Sequence, residues 1–191
     1  MTIRDKIIAG GVICIILVSH SSSWGQTYRD NLPMPSLEIN RQLMTYAQAR
    51  DYEKITRTLP MVKPLTDALK TKFTSDIESE LRSGLTAQDQ DRILKATQRL
   101  VYLDLKDLMN LSVDLMGESN DKAKTKLKAA FLNYLLLSPF MEKLNFAADQ
   151  KIKKNFRAAT LAVDASTSIE EIKRLISEID KELITTLAFS R

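Results

Sequence analysis

The stretch RLVYLDLKDLMNLSVDLMG, residues 99–117, decides how this chain folds. At 100° per residue it winds into one helix. Leu115, Leu108, Val101, Ser112, Leu105, Met116, Met109, Tyr102 and Val113 then fill a continuous apolar arc of about 160°. Lys106, Arg99, Asn110, Asp114, Asp107 and Asp104 occupy the opposite side, interrupted by Leu100, Leu103 and Leu111. A wide apolar arc with leucines among its charges is the pattern of a helix contacted from several directions. The stretch reads as the central helix of a bundle.

The composition agrees with that reading. Of 191 residues, only five are glycine and five proline, while Leu, Lys, Ala, Glu and Gln are plentiful. With 44% hydrophobic and 27% charged residues the chain is globular, and its length suits one domain. The predicted fold is all-α: a single-domain bundle of five to six helices over residues 36–190, after an N-terminal signal peptide and an extended lead-in at 26–35.

Arg4 and Lys6 precede an apolar run from Ile7 to Val18, and Ser23-Trp24-Gly25 follows. A charged start, a short apolar core and small residues at −3 and −1 make a secretory signal peptide, with cleavage expected after Gly25. The run is short for a membrane span of about 20 residues, so an uncleaved anchor is the alternative. Cys14 lies inside the run without a small residue just before it, unlike a lipidated cysteine. Cleavage removes both the only cysteine, Cys14, and the only histidine, His20. The expected mature chain then has no disulfide, cysteine nucleophile, histidine base or zinc-finger site. The formal net charge of +4 is too small to argue for nucleic acid, and export takes the chain away from it.

In the mature chain Leu32-Pro33-Met34-Pro35 resists helix. Ser36 is the expected cap of a first helix reaching about Thr58, ended by Pro60 and Pro64. Leu65, Leu69, Phe73, Ile77 and Leu81 recur every four residues and predict a second helix stopped at Gly84. Thr86 and Asp89 then predict a boxed start for a central helix of about 30 residues, ended by Gly117. Ser119 or Asn120 starts a fourth helix, Ser138-Pro139 predicts a break or kink, and a fifth follows from Phe140 to Ala159. Ser168 with Glu171 caps the last helix, whose Ile169, Ile172, Ile176, Ile179 and Leu183 form a short heptad seam. At about three heptads this seam is expected to pack within the chain. Between chains it would make a dimer, and the oligomeric state stays open.

Several residues are candidates for function. Asp104, Asp107, Asp114 and Glu118 line one side of the central helix, where carboxylates could hold a hard cation, although a solvated acidic face is the commoner meaning of such spacing. The di-iron pattern needs histidine, so no metal site or cofactor is assigned. Asp104 sits at the edge of the apolar arc, where burial would demand a partner, expected to be a lysine, arginine or tyrosine from another helix. Met109 and Met116 are one heptad apart and read as core filler more readily than as copper ligands. Tyr102 and Tyr134 lie on apolar faces, with their hydroxyls free to meet a bonded partner or a ligand. Lys122, Lys124, Lys126 and Lys128 form one basic row; Lys151, Lys153, Lys154 and Arg157 form another. Of these, Lys151, Lys154 and Arg157 are the candidates for meeting an acidic protein partner. The expected function is that of an exported, non-catalytic accessory or binding subunit in the bacterial periplasm, or secreted, acting through protein–protein contacts. The alternative is a small-ligand or metal-binding protein using carboxylates or methionines. A membrane role is expected only through the signal segment if it is retained.

Overall fold

A computed structural model describes residues 35–165 and 168–189; the expected signal peptide and all of the lead-in except Pro35 lie outside these residues. Among the described residues there are seven helices and no strand: α1 (Pro35–Ala49), α2 (Tyr52–Phe73), α3 (Ile77–Ala87), α4 (Gln90–Asp114), α5 (Asn120–Leu144), α6 (Phe146–Asp164) and α7 (Ile169–Leu187). The all-α reading therefore holds, and the count of five to six is too low. No described helix is long and apolar enough to cross a membrane.

The extra helices come from joints placed elsewhere than the prolines. The first helix stops at Ala49, not near Thr58. Arg50 takes a left-handed conformation (φ 58°). The Asp51 N–H then bonds Tyr46 O at 3.0 Å and the Arg50 N–H bonds Ala47 O at 3.3 Å. These are the paired bonds of a Schellman ending. Asp51 caps α2 by accepting from the Lys54 N–H at 3.1 Å. Pro60 and Pro64 lie inside α2, four residues apart and both exposed. The carbonyls their missing N–H groups leave free belong to the exposed Thr56 and Pro60, on the water side of the helix.

The next joint also shifts. Thr74 (φ 54°) ends α2, and Asp76 caps α3 at the Ser79 N–H. Gly84 sits inside α3 and does not end it. A Cβ there would lie 2.8 Å from Ile93 Cγ1 and 3.2 Å from the Ile93 nitrogen. Glycine is needed there because α4 starts so close, not for backbone freedom. Gln88 (φ 50°) makes the turn, and Asp89, not Thr86, caps α4 at the Arg92 N–H. The central helix is accordingly 25 residues long.

Gly117 (φ 88°) turns the chain, and Ser119 caps α5 as expected. The break expected at Ser138-Pro139 is absent. α5 runs through the exposed Pro139 to Leu144, and Asn145 caps α6 at the Ala148 N–H. Ser168 caps α7, with Glu171 in its first turn.

α4 packs against every other helix except α6. Residues 100–105 are all buried, so the helix is covered around its whole circumference there. Leu100 and Leu103, which looked misplaced on its polar side, face other helices. The seam of α7 packs within the chain, against α6, α4 and α5. Ile172, Leu175, Ile176, Ile179 and Leu183 are buried there, and Ile169 at its start is exposed.

Candidate functional site

Four of the sequence candidates, Asp104, Tyr134, Tyr102 and Asp114, fall in three places. The first is a buried polar knot at the middle of α4. Asp104 is only 4% exposed. Its Oδ2 accepts from Asn40 Nδ2 on α1 at 2.8 Å and from Asn133 Nδ2 on α5 at 2.9 Å. Asn40 Nδ2 also reaches Asn133 Oδ1 at 3.1 Å, and Ser36 hydrogen-bonds the carboxyl as well. The expected partner was a lysine, arginine or tyrosine; two amides and a hydroxyl take its place. Burial pushes the Asp104 carboxyl above the usual carboxylate range. The bonds from Asn133, Ser36 and Asn40 oppose that rise, and the charge of Asp107 adds to it. The knot ties α1, α4 and α5 together, and Asn40 Oδ1 has no partner in it.

The second place is the α5–α6 joint. Tyr134 is fully buried and donates to Asp149 Oδ1, as does Ser138 Oγ at 2.8 Å. Lys153 Nζ lies 2.7 Å from Asp149 Oδ2. Burial pushes the Asp149 carboxyl up, but Lys153, Tyr134 and Ser138 outweigh it and hold it below the usual range. Burial and the neighbouring Asp149 push the Tyr134 phenol well above its ordinary value. This network explains why Ser138 does not cap a new helix: its hydroxyl is committed to the next helix. Tyr134 also packs with Phe131 and Phe156.

The third place is the junction of α4 and α7. Tyr102 donates to Asp180 Oδ1 at 2.7 Å, and Lys106 Nζ reaches Asp180 Oδ2 at 2.9 Å. Burial, then the acceptor Asp180, raise the Tyr102 phenol. The Tyr102 ring packs on Phe189 with centroids 5.1 Å apart. Asp114 lies beside this junction, in an open groove floored by Met109, Val113 and Ile176.

These three places do not converge on one reaction centre. Asp107 is turned to Lys72 of α2, whose Nζ is 2.6 Å away. Met109 is fully buried in the core and Met116 nearly so. Among the described residues no three His, Cys, Asp or Glu side chains are grouped to hold a metal. In a cleft between α2 and α3 the charged side chains are paired with one another: Lys63 with Asp67 and Glu78, Lys70 with Asp76, and Arg82 with Glu78.

The basic groups behave differently from one another. Lys124 pairs with Asp164, and Lys151 pairs with Glu182 of α7 at 2.8 Å. Lys154 and Arg157 are exposed on α6 and pair with no described acidic group. They share an outward arc of about 100° with Phe146, Ala147, Gln150 and Leu161. Phe146 is 59% and Leu161 58% exposed, and Leu144 at the preceding corner is 62% exposed.

Sequence reasoning missed Asn40, Asn133 and Asp149. A signal was present for each. Asn40 falls between Leu37 and Leu43 on the stripe of α1, and Asn133 between Ala130 and Leu137 on that of α5. Asp149 stands one turn before Ile152 on the inner face of α6. A polar residue on an apolar stripe is a buried residue that needs a partner. Set against protein-family models, curated proteins and solved structures, the chain matches none of them.

Proposed function

We propose that this chain is an exported, non-catalytic helical subunit that acts through protein–protein contacts in the bacterial periplasm. The supporting observation is how its polar groups are used. Asp104, Asp107, Asp149, Tyr102 and Tyr134 are bonded to neighbours across helix joints, where they serve the fold. Among the candidates without described partners, Lys154 and Arg157 are displayed outward beside exposed apolar side chains, while Asp114 stands alone at the edge of the α4–α7 groove. Surfaces that mix exposed aromatic or aliphatic anchors with arginine suit partner contact, and a neighbouring lysine adds charge that steers an acidic partner. Export rests on the pattern of residues 1–25.

Gentle purification from the native envelope tests the reading. The expected mature chain starts at Gln26 by intact mass and carries a companion protein in fixed proportion. A cytosolic chain that keeps Met1 would refute export. An equimolar metal with no companion would replace the reading with that of a metal-binding protein.

A further inference from the structure

Helix α6 is an edge helix: among the described helices it packs only against α5 and α7. Its other side is open. Phe146 stands at the start of that side and Leu161 near its end, 15 residues and about 22 Å apart. Lys154 and Arg157 lie between them on the same arc. Three acidic groups at its margins are engaged already: Asp164 by Lys124, Glu182 by Lys151, and Asp149 inside the α5–α6 joint; Glu142, in the last turn of α5, is exposed without a described partner. The face is therefore cationic in the middle and apolar at both ends.

We infer that the outward face of α6 is the docking surface for an acidic amphipathic helix of a partner protein. This rests on the reading of the chain as a binding subunit. A helix lying along α6 for about 15 residues spans both apolar anchors at 1.5 Å per residue. Its carboxylates would meet Lys154 and Arg157, and its apolar side chains would cover Phe146 and Leu161. The charge complement selects an acidic partner and sets its register. An anionic lipid surface is the poorer match, because polybasic attachment uses clusters of roughly four to eight cations and this arc offers two.

A photoreactive phenylalanine analogue placed at Ala147 of the full chain in its native host reads the surface, with the same probe at the exposed Thr86 of α3 as control. The expected result is a protein adduct at Ala147 and none at Thr86. The cross-linked segment should be rich in Asp and Glu. K154E/R157E should lower the yield about tenfold or more with the melting temperature unchanged. K154Q/R157Q, which only neutralises the charges, should lower it in the same direction if the double reversal disturbs folding. An adduct to lipid, to a second copy of this chain, or of a yield indifferent to these substitutions overturns the inference. Adducts at Thr86 in place of Ala147 reject the α6 face while keeping the binding-subunit reading. No protein adduct at either position, with no companion on gentle purification, rejects both.

Discussion

Asp104 carries the sharpest consequence at the scale of single residues. A carboxyl whose value is raised in the fold favours folding in its protonated form. That stability is fully present below the ordinary carboxylate range and is lost as the pH rises through the raised folded value. Asp149 has the opposite sign: its depressed carboxyl contributes above the ordinary range, and the contribution fades as the pH falls through its folded value. Asp104→Asn imitates the protonated form and still offers an oxygen to Asn40 and Asn133. The Ser36 hydroxyl can turn to accept from the new amide. This variant should lie within about 1 kcal/mol of the parent and gain on it as the pH rises from the acid range towards neutrality. Asp104→Ala strips the Asn133 amide of its acceptor, leaves Asn40 only its bond to Asn133, and should cost about 1–3 kcal/mol. Thermal melts of the three proteins across a pH series decide this. Equal losses from both substitutions at neutral pH would mean that the charge itself is needed.

At the scale of elements, short-range signals place the helices well only when nothing distant interferes. Ser119 and Ser168 cap the helices expected of them, because a cap needs only its own backbone. Pro60, Pro64 and Pro139 carry the local chemistry of breakers, yet all three sit exposed within helices. A proline's cost depends on whether the carbonyl it frees reaches water, and that depends on which face neighbouring helices cover. Gly84 is the converse case, where a helix needs glycine for its neighbour's sake. Gly84→Ala would gain about 1 kcal/mol in helix propensity. The new methyl would press on Ile93, which is fully buried and has no room to retreat. Overpacking of this kind costs about 1–3 kcal/mol, so the net change should be a loss of stability. Denaturant titration reads it, and a more stable variant would show that the α3–α4 joint has slack.

At the scale of the whole molecule, α7 closes the bundle. Its five buried aliphatic side chains are worth about 2 kcal/mol each. Their sum is comparable with the total stability of a domain, about 5–15 kcal/mol. Removing α7 also strips Tyr102 and Lys106 of Asp180, Lys151 of Glu182 and Asn155 of Glu178. A chain ending before Ser168 should therefore lose its cooperative melting transition by circular dichroism. A truncated chain that melts as before and only changes its oligomeric state would show that α7 serves a contact between chains.

Much of this was legible in the linear chain. The scarcity of breakers and the 3.6-residue periodicity determine the all-α class, and the isoleucine seam of α7 specifies a helix that must be covered. The arc of residues 99–117 likewise marks α4 as central and Asp104 as the charge at the edge of burial. These are local properties, carried by residues within a turn or two of one another. Tertiary structure alone decided that Asp104 meets Asn40 and Asn133, which lie 64 residues before and 29 residues after it in the chain. It also decided that Asp149 is buried, and that Lys151 is paired while Lys154 and Arg157 are left facing outward. Such outcomes depend on which helix faces meet after the loops have closed, and periodicity specifies only that a face must be covered, never by what.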